Sequence, residues 1–118
     1  MKAFTDIEQS KKLVEILPIE SADMYYCGSV TPDVMTSCKQ DYRCYTPCWS
    51  LVALLDVLPI SINEGQHCLA LINSDPNGID WLCCYENYKG ESMMECYADN
   101  QVDACVEMIY KLKEKDLL

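Results

Sequence analysis

The sequence predicts an α+β domain, and three observations support this prediction. Three short apolar runs, at 67–72, 79–85 and 92–97, are separated by turn residues, which is typical of an antiparallel meander. One amphipathic helical pattern opens the chain, and another follows these runs. A strongly apolar segment, 46–59, lies between the first helical pattern and the first run. We therefore expect an antiparallel sheet of three to four strands with about three helices, one of them a buried central helix. The length of 118 residues fits a single compact domain over 1–118.

The chain begins with a helix pattern. Thr5 with Glu8 forms a capping-box sequence, so the first helix is predicted to start at Thr5 and to stop at Pro18. The run 21–27 then predicts a short strand.

The segment Ser29–Arg43 has little hydrophobic periodicity, which predicts a long loop. Long loops in compact domains are often functional. Asp33, Tyr42 and Arg43 are therefore candidate binding residues.

The apolar segment 46–59 predicts the central helix. Thr46 is a suitable N-cap and Pro47 a suitable first helical residue, while Pro59 ends the helix after Leu58. A helix that is apolar nearly all round belongs in the interior, so we expect this one to be buried.

The three apolar runs that follow predict the meander. Asp75-Pro76-Asn77-Gly78 and Asn87-Tyr88-Lys89-Gly90 supply its turns. Alternation places Trp81, Cys83 and Tyr85 on one face and Leu82 and Cys84 on the other. Both faces thus carry apolar side chains, and a face without a helix needs a partner, a second layer or a ligand. Trp81, Tyr85 and Tyr88 are accordingly candidate binding residues.

The last predicted element is a helix capped by Asn100, with Asp103 near its positive end. One helical face is apolar, which predicts packing against the sheet. This face comprises Val102, Cys105, Val106, Ile109 and Leu112.

Composition restricts the kinds of partner. Nine Lys and Arg oppose nineteen Asp and Glu, giving a net charge of -10, which argues against nucleic acid and anionic membranes. The longest apolar run is too short for a membrane span, and no secretory signal pattern opens the chain, so we expect a cytoplasmic protein. The chain has nine cysteines and no Cys-x-x-Cys pair. In a reducing cytoplasm, we expect most of these thiols to be small buried hydrophobic side chains. No motif calls for a cofactor, and we expect none.

Cys48 is the candidate nucleophile. The predicted central helix places it in a first turn, where the helix dipole lowers the pKa of a thiol. The string Cys44-Tyr45-Thr46-Pro47-Cys48-Trp49-Ser50 resembles the papain-type signature in Cys44, Cys48 and Trp49 but lacks its glycine. A thiol enzyme would use Cys48 with His67, the single histidine, and Asp80.

A zinc module is the other chemical alternative. Cys38, Cys44 and Cys48, with His67 or Cys68, supply four potential ligands, although their spacing matches no zinc-finger pattern. Capture of a small ligand such as a signalling nucleotide also stays open, but the acidic charge disfavours it.

Three strings, at 19–24, 47–51 and 99–109, resemble a group of small proteins encoded in gut Bacteroidales genomes, often in prophages or mobile elements. No activity is established for that group. The resemblance implies a cytosolic setting and an accessory or host-modulating role. Together with the two apolar sheet faces, it favours a non-enzymatic module that binds a protein partner or itself.

Overall fold

The structure is a computed structural model that describes residues 2–27, 31–34, 46–75, 77 and 80–118. These residues form an α+β fold with three α-helices and two antiparallel sheets, one of three and one of four strands. The predicted fold class, sheet size and number of helices are confirmed. The chain divides into two compact units, an N-terminal unit of Ala3–Val57 and a sheet–helix unit of Leu58–Leu118 with Lys2. The prediction of one domain over 1–118 stays a prediction.

The N-terminal unit begins with helix α1, Ile7–Leu13. Its N-cap is Asp6, not Thr5, and its capping-box partner is Gln9, not Glu8. The predicted start is therefore wrong by one residue. Because Thr5 does not cap the helix, its side chain can bond elsewhere. It is fully buried and takes part in a polar cluster described below.

The predicted strand at 21–27 is shorter in the structure. A 3₁₀ turn occupies Ile19–Ser21, and strand β1 covers only Met24–Tyr26. β1 lies between β2, Asp33–Val34, and β3, Thr46–Cys48. β2 falls within the predicted loop Ser29–Arg43, most of which lies outside the described residues.

The central helix differs most from its prediction. Helix α2 covers only Leu51–Val57, and Thr46–Cys48 is an edge strand, a position that tolerates the missing N–H of Pro47. Ser50 caps the helix by accepting the Ala53 N–H at 3.2 Å.

The expectation that the central helix is buried holds for only part of α2. Ala53 and Leu54 are buried, but Val52 is 70% exposed. Helix α2 therefore exposes part of its apolar surface to solvent.

The sheet–helix unit contains the predicted meander. Its strands are β4, Ser61–Ile62; β5, His67–Asn73; β6, Trp81–Glu86; and β7, Ser92–Ala98, in that spatial order. The turn before β7 forms as predicted: Asn87 Oδ1 accepts the N–H groups of Lys89 and Glu91, and Gly90 has φ +81°. In the preceding turn, the Asn77 N–H donates to Asp75 Oδ1 at 2.8 Å. Pro76 and Gly78 lie outside the described residues.

Helix α3, Gln101–Glu114, covers one face of this sheet by packing on β6 and β7. Asn100 caps it as predicted, with its Oδ1 accepting the Asp103 N–H at 2.8 Å. All five residues of the predicted apolar helix face are buried. At the outer edge of β7, the Lys111 ammonium donates to the Glu95 carbonyl at 3.0 Å. In the part of the chain that the structure describes, no helix is long and apolar enough to cross a membrane.

The cysteines behave largely as predicted. Five of those described are buried and two, Cys27 and Cys68, are exposed. No described cysteine forms a disulfide. Most of these thiols therefore contribute packing, as expected of small hydrophobic side chains.

Candidate functional site

Cys48 lies at the end of β3 and is fully buried within a polar cluster of the N-terminal unit. Its Sγ donates to the Thr5 carbonyl at 3.4 Å, and the same carbonyl accepts the Tyr26 hydroxyl at 2.6 Å. Thr5 Oγ1 lies 2.7 Å from Ser10 Oγ and accepts the Trp49 N–H at 3.2 Å. These bonds satisfy the buried polar groups and hold the chain before α1 against β3.

Burial keeps the Cys48 thiol protonated. Burial raises the pKa of the Cys48 thiol above its usual range, and hydrogen bonds with Thr5 and Ser10 offset only part of this effect. The predicted lowering of this pKa is wrong because Cys48 lies on a strand and not in the first turn of a helix. A buried neutral thiol is a poor nucleophile.

We therefore expect Cys48 to react slowly with iodoacetamide at neutral pH in the folded protein. Its labelling rate should be at least about tenfold below that of exposed Cys68, because reaction requires local opening. Quenched time points followed by peptide mass spectrometry measure both rates in one sample, and a urea-unfolded sample is the control in which the rates converge. A Cys48 that reacts as fast as Cys68 would contradict this assignment.

The proposed partners of Cys48 in a thiol enzyme are also not assembled. His67 is the first residue of β5, and Asp80 directly precedes β6, where it accepts a hydrogen bond from Ser74 at 3.0 Å. The β5–β6 register places them at opposite ends of the hairpin, about 20 Å apart at 3.3 Å per residue. Asp80 therefore cannot orient the His67 ring, whose Nδ1 lies 3.3 Å from Asn63 Nδ2.

The predicted zinc ligands are only partly described. Cys38 and Cys44 lie outside the described residues, Cys48 is in the N-terminal unit, and His67 and Cys68 are in the sheet–helix unit. Among the residues whose placement is given, no three His, Cys, Asp or Glu side chains are grouped so that they could hold a metal ion.

The predicted binding residues that the structure describes belong to both units and differ in exposure. Tyr85 is fully buried beneath α3 and donates to the Pro59 carbonyl at 2.8 Å, so its prediction as an accessible binding residue is wrong. Trp81 shares that face and is half-buried. Tyr88 is 91% exposed in the turn before β7, and Asp33 is exposed on β2. Tyr42 and Arg43 lie outside the described residues.

The opposite face of the four-stranded sheet has the properties of a binding surface. The strand register arranges its side chains in three rows across β5, β6 and β7, and we call these rows together the outer face. The first row is Ile72, Leu82 and Tyr97; the second is Ala70, Cys84 and Glu95; the third is Cys68, Glu86 and Ser92.

The first row of the outer face is apolar and accessible. Ile72 is 39% and Tyr97 55% exposed, and Leu82 lies between them half-buried. Neighbouring exposed apolar side chains of this size are typical of surfaces that become covered on binding.

The other two rows carry the charge of the outer face. Glu86 is half-buried and Glu95 exposed, and both lie beside the Cys84 thiol, which is itself buried. Burial, together with the negative charge of these carboxylates, raises the pKa of Cys84, so this thiol stays neutral. A pocket with a volume of about 650 Å³ adjoins the third row. It is lined by residues 65–70 and 86–88.

Part of the outer face is predictable from the two-residue alternation of β6. Strand alternation correctly placed Leu82 and Cys84 opposite Tyr85. Ile72, Tyr97, Glu86 and Glu95 are not among the predicted binding residues, although the same alternation in β5, β6 and β7 places them on this face.

No known protein family, curated protein or solved structure matches this chain.

Proposed function

We propose that this chain is a non-enzymatic interaction module that binds another protein, or a second copy of itself, through the outer face. The observation that carries the proposal is the accessible apolar row of Ile72, Leu82 and Tyr97 on the face opposite α3. Water contact with such a row is unfavourable, and covering it with a complementary surface releases that cost. The resemblance to mobile-element proteins supports a cytosolic accessory role for this binding.

The buried state of Cys48 supports a binding role over the thiol-enzyme alternative. The most strongly predicted nucleophile is inaccessible and protonated, and His67 and Asp80 are separated along the hairpin. The outer face, in contrast, needs no rearrangement to meet a partner.

Site-specific photo-crosslinking tests the proposal. Benzoylphenylalanine replaces Tyr97 in one sample and Ile60 in another, since Ile60 is 84% exposed but lies outside the outer face. In the native host, the Tyr97 position is expected to give a discrete protein–protein product that the Ile60 position does not give. The added substitution Ile72→Asp should remove that product, because it places a charge in the apolar row.

The outcomes are distinct. The mass of the Tyr97 product distinguishes a different protein from a second copy. The absence of any Tyr97 product, the same product from both positions, or a product that survives Ile72→Asp would contradict the proposal. Circular dichroism of each variant verifies that the fold is retained.

A further inference from the structure

We infer that the occupant of the outer face is a cationic amphipathic segment, which sets apolar side chains on the Ile72–Leu82–Tyr97 row and Lys or Arg side chains on Glu86 and Glu95. This inference rests on the proposed function and adds the chemistry of the partner to it.

The two carboxylates are the first part of the argument. Neither Glu86 nor Glu95 forms an ion pair with any described residue. Both stand on the same face as the apolar row, so a partner that covers that row removes water from them as well. Removing water from a carboxylate is unfavourable unless a cation or hydrogen-bond donor replaces it. A purely apolar or an acidic segment is therefore a poor match.

The spacing of the rows predicts where the segment carries its cationic groups. Successive rows lie two residues apart along β5 and β6, which is about 7 Å. Glu95 is one row and Glu86 two rows away from Leu82. The segment therefore carries cationic groups about 7 Å and 13 Å from its apolar stripe, which Lys and Arg reach with flexible stems.

The charge of the whole chain points to the same partner. A net charge of -10 attracts a cationic segment and accelerates its encounter with the protein. A second copy would bring the same net charge, as well as its own Glu86 and Glu95. Electrostatics thus favours a basic partner over self-association through this face.

The experiment uses two fluorescein-labelled peptides of 18 residues, one built from Leu and Lys and the other from Leu and Glu in the same amphipathic pattern. Fluorescence anisotropy measures their affinity for the full chain. We expect the Leu/Lys peptide to bind and the Leu/Glu peptide not to bind. The double substitution Glu86→Gln with Glu95→Gln should weaken binding of the Leu/Lys peptide by about tenfold or more.

A matched control separates the site from the overall charge. Glu8→Gln with Glu20→Gln removes the same two charges from exposed positions in the N-terminal unit and should change affinity by less than about twofold. Equal losses in the two double variants, unchanged binding by the Glu86 and Glu95 variant, or equal binding of the Leu/Glu peptide would overturn the inference.

A further variant distinguishes failure of the inference from failure of the proposed function. Ile72→Ser with Tyr97→Ser removes the apolar row and leaves both carboxylates. Binding that is lost in this variant but not on removal of the carboxylates would refute the cationic partner and leave the binding face intact. Peptide binding that is unchanged in both double variants would refute both the cationic partner and the proposed binding face.

Discussion

Replacing Trp49 with alanine is expected to lower the free energy of unfolding by about 3–5 kcal/mol. Trp49 is a fully buried side chain of the N-terminal unit, and its Nε1–H donates to Ser21 Oγ at 2.9 Å. The substitution leaves a cavity and also removes a hydrogen bond, so both effects act in the same direction. Urea unfolding followed by far-ultraviolet circular dichroism measures the change.

The matched control for Trp49→Ala is Val52→Ala. Val52 lies on α2 in the same unit but is 70% exposed, so its truncation should change the free energy of unfolding by no more than about 0.5 kcal/mol. If Trp49→Ala costs less than about 1 kcal/mol, the described packing of this unit is incorrect.

Replacing Ile109 with alanine should lower the free energy of unfolding by about 2–5 kcal/mol. Ile109 is fully buried on α3, the helix that packs on β6 and β7. Truncation removes apolar contacts from the centre of this layer, and a rigid sheet cannot collapse fully into the space. Urea unfolding followed by far-ultraviolet circular dichroism measures the change.

Glu107→Ala is the control on the same helix. Glu107 is exposed and alanine favours the helix, so a change within about 0.5 kcal/mol is expected. Similar losses for Ile109→Ala and Glu107→Ala would mean that α3 does not present its apolar face to the sheet.

The elements predicted well are those whose signals are local. Asn100 caps α3 through its own neighbour Asp103, and Asn87 with Gly90 closes the turn before β7. The 3.6-residue and two-residue periodicities then fix which side chains share a face of a helix or strand, and no distant contact has to be known.

The start of α2 was predicted wrongly because distant residues decide it. Thr46 and Pro47 form a good local start signal, but the Ser50 N–H donates to Asp23 Oδ1 at 2.9 Å, and the Ser50 hydroxyl also bonds Asp23. The Trp49 N–H likewise donates to Thr5 Oγ1. These bonds join residues 27 and 44 positions apart, which no local pattern reveals. The misplaced helix start produced the wrong pKa prediction for Cys48.

The candidate binding surface was predicted only in part for a similar reason. Alternation assigns side chains to two faces of the sheet, but it does not say which face α3 covers. Tyr85 was therefore assigned to a binding role although it lies beneath the helix, while Tyr97 on the accessible face was overlooked.

The bond from Lys111 to the Glu95 carbonyl has a consequence for aggregation. β7 is an edge strand, and an unpaired carbonyl on such a strand is a template on which a foreign strand can dock and begin a fibril. The Lys111 ammonium occupies that acceptor and adds a charge that an incoming strand would have to displace. Lys111, in the last turn of α3, thus blocks one docking position on the edge of β7, while the side chains of the outer face stay available for selective contacts.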